Sequence, residues 1–542
     1  QFTLCTIYGS NLDEPAVFDV INRELDNWPT PLVVCGDMNC QFPPNVISGG
    51  RKPKTLAAIS RLAQNHALID VWGSLHPEIA GETYYSIPHG SYSRIDLVLA
   101  SSTLLSQIKI FILPKVISDH NPLILEMSNL EILVPVKQWT FERALLYDPN
   151  YVSHMKDWTM EFFGFNEGSA DPAVVWDTYK AGVRGETLLY SIRKQRQRKM
   201  ELHYWNGKLI ELEREHANLC RLNVSGEERA ALSQKIEHSK ARLHGIFSDE
   251  SARRFAVFKS EMYEFGESVG KLLARRARQK STQNEIRSLK DEDGNECIEK
   301  IGIMSIMQAY YQKLYLQDFE VSPAEVREYL REGVSSLSPE DNCSLRRGMV
   351  KEELLGAMSS LALGKATGPD CIPLEYYLVM QEVLISKMLV LFRAVQIGSN
   401  IPESWSKTRI VVFLKKDKDP TLSSSYRPIS LINSDSKIYS KILATRLGGL
   451  IAGIVTPWQH GFVPGRGTID HIHRAITLID VCQVNRTPFA LILLDAEKAF
   501  DRVAWDYLWI TMKGFGICEE FITAVRLLYH GPRARIRIKD NE

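Results

Sequence analysis

Hydrophobic and polar positions follow three different patterns along the chain, and each predicts its own kind of element. Over residues 1–127, short apolar runs are closed by turn residues: LCTIYG, PLVVCGD, SRIDLVLA, KIFIL and PLILEM. Runs of this length predict buried strands, with helices over 17–25 and 55–66 between them. Strands alternating with helices predict an α/β layered unit. From 138 to 315 the pattern becomes long amphipathic stretches of Lys, Arg, Glu and Leu, with Leu202, Trp205, Leu209 and Leu212 at three- and four-residue spacing. These predict helices, broken at Ser225 and Gly226, followed by a turn at Asp291 to Asn295. Beyond 322 the chain is mixed, with helices expected over 350–363 and 436–450 and a strand at RIVVFLKK. It closes with an expected strand FALILLD, helices FDRVAWDYLWITMKGFG and FITAVRLLYH, and a strand ARIRIK. No repeat of fixed period appears.

Length and composition sharpen this picture only in part. A chain of 542 residues exceeds one ordinary core and implies several domains. Its 44% hydrophobic and 24% charged residues are ordinary for a folded protein. A net charge of +0 argues against a uniformly basic nucleic-acid binder, yet residues 181–280 hold 21 Lys/Arg against 13 Asp/Glu. Such a run is commonly a solvated helix face, although a local excess of this size also suits phosphate backbones. The nine cysteines show neither a CxxC pair nor zinc-ligand spacing and read as free thiols of a reducing compartment. No apolar run approaches the roughly 18 residues of a membrane span, so no membrane partner is expected. The opening QFTLCTIYGSNLDEP has no secretion signal and reads as a strand inside a domain. A cytoplasmic and nuclear location is the expectation.

Two constellations carry candidate chemistry. In the first, Asp37 and Asn39 follow the strand PLVVC, Asp96 opens the run IDLVLA, and Asp119 and His120 lie between KIFIL and PLILEM. Asp and Asn after a strand are ordinary turn residues when alone. Together with a carboxylate–histidine pair they supply what phosphodiester hydrolysis needs: a base for water, acids for a cation and donors for an oxyanion. The ordered set IYGSN, GDMN, SRID and SDH resembles the later motifs of the endonuclease/exonuclease/phosphatase family, and within it the apurinic-type endonucleases of LINE retrotransposons. The resemblance implies that Tyr8 contacts phosphate and that Asp37 with Asn39 orients and deprotonates the attacking water. It further implies that Asp96 supports His120 and that Asp119 completes a metal or water network. The family also uses an Asn and a metal-binding Glu ahead of the IYG motif, which this sequence does not contain. Divalent metal binding is therefore expected to be weakened, and nicking absent or nearly so.

In the second constellation, LILL runs into Asp495, with Phe500 five residues on. An acid at a strand end can hold Mg²⁺ for nucleotidyl transfer, although an Asp before a helix is often only a cap. LGKATGPDCIPLEYY, SYRPISLINSDSKIYSKILATRL, QHGFVPGRGTIDHI and LLDAEKAFDRV follow in that order and resemble non-LTR reverse transcriptases. The likeness implies that Asp495 is a catalytic metal ligand and that Phe500 excludes a ribose 2′-hydroxyl. It places Arg427 on the incoming triphosphate and Gln459, Gly461, Phe462 and Arg466 along the template or nucleotide path. Gly364, Gly368 and Pro369 would form a tight loop, with Cys371 standing where the family usually has Gly and so straining a left-handed turn. The family's second acidic motif, an aromatic-Ala-Asp-Asp hairpin, does not occur in this sequence, so polymerisation by this chain is not expected.

The basic clusters Arg193, Lys194, Arg196, Arg198, Lys199 and Arg275, Arg276, Arg278, Lys280 would give the middle region a salt-sensitive grip on RNA or DNA. The expected architecture is α/β and α+β multidomain. Residues 1–130 would form part of an incomplete four-layered α/β endonuclease sandwich, 131–320 a basic helical linker, and 321–542 the fingers and partial palm of a reverse transcriptase. The expected function is that of a fragment of a retrotransposon RNA-directed DNA polymerase with an endonuclease, acting by target-primed reverse transcription with Mg²⁺, an RNA template, a DNA target and deoxynucleoside triphosphates. A catalytically dead, nucleic-acid-binding remnant is the alternative. A stand-alone phosphodiesterase with an unrelated tail conflicts with the second set of motifs.

Overall fold

The computed structural model describes residues 2–41, 53–79, 81–86, 91–113, 120–128, 139–221, 226–262, 286–316, 320–330 and 335–538. It is a mixed α/β multidomain chain with two compact units, Gln1–Val134 with Ser191–Phe255, and Pro135–Tyr190 with Ala256–Glu542. Among the described residues no helix is long and apolar enough to cross a membrane.

The first unit is built on a sheet ordered Thr3–Tyr8, Leu32–Asp37, Asp96–Ser101, Leu68–Asp70. The first two strands run parallel and the remaining pairings are antiparallel. Strand side chains alternate faces, and here both faces are apolar. Leu32, Val34, Leu97 and Leu99 pack with Phe18, Ile59 and Leu62 of the helices Ala16–Glu24 and Pro53–Asn65. Val33, Val98 and Ala100 pack on the other face with Trp72, Ile108 and Ile110. The last two belong to the antiparallel pair Ile108–Ile112 and Leu123–Met127. This explains why the runs read as continuous apolar segments: a strand covered on both sides has no polar face. In the same unit Leu209, Leu232, Ile236 and Leu243 make a small separate core between the helices Pro172–Arg221 and Gly226–Met262.

In the second unit, residues from within the expected 131–320 linker share a core with residues beyond 350. Phe141, Tyr151, Met155, Phe163, Trp176, Tyr179 and Val183 are buried in one core with Leu354, Tyr376, Tyr377, Phe392, Ile438 and Tyr439. The helix Pro149–Asn166 starts on an Asp148 cap, whose carboxylate accepts from Asn150 N at 3.2 Å, with Pro149 at the first helical position. Its aromatic residues then meet those of the following helix, and Tyr179 Oη lies 2.8 Å from Tyr376 Oη. A helix with this many large apolar residues on one side buries them in the nearest core, whatever its charged outer face suggests. A second core lies between the helix Lys300–Tyr315 and a three-stranded sheet in the order Tyr426–Leu431, Lys407–Leu414, Arg533–Arg537.

Most expected elements are present, including helices at Lys351–Ser360 and Ser434–Gly448 and the turn closed by Asn295 N on the Asp291 carboxylate at 2.8 Å. The strand FALILLD is not. Residues 487–496 take no regular structure, and Leu491, Ile492, Leu493 and Leu494 are 61, 77, 86 and 92% exposed. An apolar run becomes a strand only when neighbours take its backbone hydrogen bonds, and none pairs with it among the described residues. The helix expected from Phe500 likewise begins only at Trp505 and ends at Gly514. The basic cluster 275–280 lies outside the described residues.

Candidate functional site

The first constellation converges. Asp37 ends its strand and Asp96 begins the next, and the two face each other in register. His120 pairs with Tyr84 in an isolated bridge that carries it to the same edge. Its Nδ1 lies 2.8 Å from Asp96 Oδ2, and ligand atoms of Asp37, Asp96 and His120 all lie within 4.8 Å of one another. An Nδ1–H given to Asp96 leaves Nε2 to accept a proton. Asn39 holds a left-handed conformation, φ 47°, which Asn tolerates better than most residues. Its N donates to Asp37 Oδ1 at 2.8 Å, and its Nδ2 donates to Asp37 Oδ2 at 3.2 Å and Gly9 O at 3.0 Å. Tyr8 ends its strand opposite Asp37 with a ring 72% exposed. Asp119 lies outside the described residues.

Two residues around this cluster serve the frame. Arg94 of the SRID motif is buried and gives a two-pronged pair to Asp70, at 3.2 and 2.7 Å. Thr83, fully buried, accepts at Oγ1 from Ile95 N and Asp96 N, both at 3.2 Å, and so fixes the strand start that carries Asp96. Nothing in the spacing of Thr83 marks it for this role, because the contact comes from a distant loop.

The second constellation is only partly assembled. Asp495 is exposed on the unpaired segment, and Arg427 is exposed on the strand Tyr426–Leu431. Neither side chain makes a hydrogen bond or ion pair among the described residues. Among the described residues no strand pairs with the segment that carries Asp495. Phe500 is 78% exposed and packs edge-on against Phe462 with ring centroids 5.4 Å apart. It lies on a cavity of about 970 Å³ that Tyr315, Ile410, Trp505 and Arg533 also line. The Arg466 guanidinium donates to the carbonyls of Ala452, Thr456 and Gln459 at 2.6 to 2.8 Å and locks the loop before the helix Thr468–Val484. Gln459 Nε2 donates to Gly461 O in the same loop at 3.0 Å. Gly364 has φ 73°, and a Cβ on Gly368 would meet Asn433 at 2.3 Å, so the expected tight loop is present. Cys371, buried with φ 61°, holds the left-handed turn for which Gly would be the unstrained choice.

Residues 414–541, which hold Arg427, the Gln459 to Arg466 loop, Asp495 and Phe500, match the family model for reverse transcriptase (RNA-dependent DNA polymerase). This stretch of the chain is similar to reverse transcriptases. The chain is 26% identical over 514 residues to the transposon TX1 uncharacterized 149 kDa protein of Xenopus laevis, covering 94% of this chain and 38% of that protein. It is 28% identical over 196 residues to the probable RNA-directed DNA polymerase from transposon BS of Drosophila melanogaster, covering 34% of this chain and 22% of that protein. A further likeness, 28% over 154 residues, is to the RNA-directed DNA polymerase from mobile element jockey of the same fly, covering 28% of this chain and 17% of that protein. The chain thus spans about two fifths of the Xenopus protein's length. An AP endonuclease from Leishmania major is similar at 23% identity and a TM-score of 0.19 over 21% of this chain and 42% of that one, an overlap too slight to fix a fold.

The matched stretch begins well after residues that brace it. Lys498 and Asp501, which flank Phe500, are held from the helix Lys300–Tyr315: Lys498 Nζ bonds Tyr310 Oη, and Tyr315 Oη donates to Asp501 Oδ1 at 3.5 Å. Deeper in the unit, Lys180 Nζ lies 2.9 Å from Asp435, 3.3 Å from Asp370 and 3.5 Å from Asp177, and it also donates to Ser404 Oγ. Trp176 and Trp405 both donate Nε1–H to Asp435 Oδ2 at 2.8 Å. Burial opposes ionisation of Asp435, but Lys180 and the indole donors outweigh it and hold the carboxyl below the usual range. Burial, with Asp435 adding to it and Lys180 opposing, pushes Asp370 up to about 6. A lysine on the apolar stripe with Trp176 and Val183 was the one sequence sign of this cluster.

Proposed function

We propose that the chain is the stretch of a LINE-type retrotransposon polyprotein that joins an apurinic-type endonuclease to a reverse transcriptase, whose joint activity is target-primed reverse transcription. The convergence of Asp37, Asp96 and His120 at facing strand ends carries the endonuclease half of this reading. On it, Leu32–Asp37 and its neighbours belong to the layered endonuclease sandwich of 1–130, and 321–542 supplies fingers and part of a palm. The oxygens of Asp37 and Asp96 suit a hard divalent ion such as Mg²⁺, with Asp119 a further ligand. Such an ion, when bound, offsets phosphate charge and acidifies water. Asp37, ordered by Asn39, would orient the water. His120, aligned by Asp96, would move the proton at Nε2, and Tyr8 would meet the phosphate at the rim.

Mn²⁺ serves as the spectroscopic probe. Titration of the full chain followed by electron paramagnetic resonance is expected to show one site with affinity at least tenfold weaker in Asp37→Asn. An Asp37→Asn chain that binds Mn²⁺ as tightly as the parent would sink the endonuclease reading.

For the polymerase half, RNA template and deoxynucleoside triphosphates are the proposed partners, with Asp495 the metal ligand, Phe500 the sugar gate and Arg427 the triphosphate contact. Because Asp495 sits on an unpaired segment, extension of oligo(dT) on poly(rA) with Mg²⁺ by this chain is expected to equal that of Asp495→Ala. Clear product from the parent and not from the variant would show that the carboxylate is held after all. A nucleic-acid-binding remnant without catalysis fits the same exposure of Leu491 to Asp495.

A further inference from the structure

The turn that carries Phe500 does not continue a strand, since residues 487–496 take no regular structure. It is closed on itself: Asp501 N and Arg502 N both donate to Lys498 O, at 3.0 and 3.2 Å. Lys498 holds a left-handed conformation, φ 53°, which a lysine keeps only where its surroundings fix it. The fixing comes from the end of the helix Lys300–Tyr315. Lys498 Nζ bonds Tyr310 Oη and stands 4.4 Å from the centroid of that ring. At the other end of the turn Tyr315 Oη donates to Asp501 Oδ1 at 3.5 Å. Burial and the Asp501 charge push the Tyr315 hydroxyl up to about 12, so it keeps its proton at neutral pH and can donate.

The helix itself is firmly seated. Ile303, Met307 and Tyr311 are buried in one core with Ile410, Val412 and Tyr426 of the three-stranded sheet, and the Tyr311 ring stacks on that of Tyr315 with centroids 6.0 Å apart. Phe500, by contrast, anchors itself poorly, with a ring 78% exposed that meets Phe462 edge-on at 5.4 Å. Its place on the cavity that Tyr315 also lines is therefore set by the turn and by the two tyrosines that grip the turn's ends. A ring that rejects a single hydroxyl has to be held to within about 0.5 Å, and supporting contacts supply that precision.

We propose that Tyr310 and Tyr315 are positioning residues for nucleotide selection: by holding Lys498 and Asp501 they set the Phe500 ring against a ribose 2′-hydroxyl. They act through Phe500 and involve neither Asp495 nor a metal ion. The inference rests on the polymerase reading, which supplies the sugar gate but not its support. Both tyrosines lie ahead of residues 414–541, so the match to the reverse transcriptase model does not reach them.

Calorimetric titration of the full chain with dTTP and with UTP, together with hydrogen exchange in peptides covering 497–503, tests this. The double variant Tyr310→Phe/Tyr315→Phe removes both hydroxyls and keeps both rings, so the packing of the helix is retained. Exchange over 497–503 is expected to be at least about fivefold faster in this variant, the effect of losing one ordinary hydrogen bond, with 407–414 unchanged. Its preference for dTTP over UTP should fall about fivefold, towards that of Phe500→Ala, while dTTP affinity stays within about twofold of the parent. In the Phe500→Ala background the same two substitutions should leave the preference where it was, since a support has no effect without the group it supports. Unchanged exchange over 497–503 overturns the proposal. So does faster exchange with an unchanged preference for dTTP, or a preference that falls further in the Phe500→Ala background, because the tyrosines then act on something other than the ring. A parent chain that binds dTTP and UTP alike, or neither, while exchange is still faster in the double variant, overturns the sugar-gate reading and the role in selection with it, and leaves the tyrosines' hold on the turn standing.

Discussion

Lys180→Met is expected to lower the stability of the unit formed by Pro135–Tyr190 and Ala256–Glu542 by about 3–5 kcal/mol, the usual cost of breaking a buried ion pair by removing one partner. The variant keeps the length and apolar stem of the side chain and removes the ammonium alone. Asp435, fully buried, and Asp370 then face each other without a cation. Their desolvation is no longer offset, and the indole N–H groups of Trp176 and Trp405 cannot replace a full charge. Urea unfolding followed by tryptophan fluorescence measures the loss. A shift below about 1 kcal/mol, the range of an exposed pair, would show that the cluster is not buried in solution.

The same cluster has a pH signature. The folded pKa of Asp370 is raised to about 6, above the unfolded value near 3.9. Its stabilising contribution is therefore complete below the unfolded value and is lost as pH rises through about 6. Asp435 is shifted the other way, so its contribution is present above the unfolded value and lost as pH falls through the depressed one. Asp370→Asn should remove the decline between about pH 4 and 6 and leave the acid limb in place. A decline that survives in Asp370→Asn would assign it to another group.

Gly36→Ala should unfold the sheet that carries Asp37. Gly36 has φ +140°, a conformation essentially reserved for glycine, and an added Cβ would sit 2.0 Å from Ile7 O and 3.0 Å from Ile7 N and C. All three are backbone atoms of the paired strand Thr3–Tyr8, so neither strand can yield without breaking the register that sets Tyr8 beside Asp37. Backbone strain of about 1–3 kcal/mol adds to overlap of similar size. The measurement is hydrogen exchange in peptides covering 32–37 and 96–101, with Gly207→Ala as control, since nothing lies within 4 Å of a Cβ there. Protection that persists in Gly36→Ala would mean the strands do not approach so closely.

How far the sequence reaches differs from site to site. Val33, Val34, Leu97 and Leu99 lie in short apolar runs bounded by turns, and such runs become strands wherever a layer covers each face, so the strands of the first sheet were legible. Asp37, Asn39, Asp96 and His120 were legible too, because each belongs to a local motif, and strand pairing brought Asp37 opposite Asp96. LILLD read equally well as a strand and is not one here. Periodicity describes what a segment would bury, whereas a strand exists only when a partner accepts its hydrogen bonds.

Local pattern by itself determined most of the order of helices and strands, the two motif sets and the left-handed turn at Cys371, because these depend on residues near one another in the chain. Tertiary structure alone decided that Lys180 meets Asp370 and Asp435 across some 190 to 255 positions, that Arg94 pairs with Asp70, and that Arg466 secures its own loop. Charge and hydrogen-bonding capacity are carried by single residues, but their partners are set by which surfaces the packed core brings together. No spacing rule along the chain encodes that meeting.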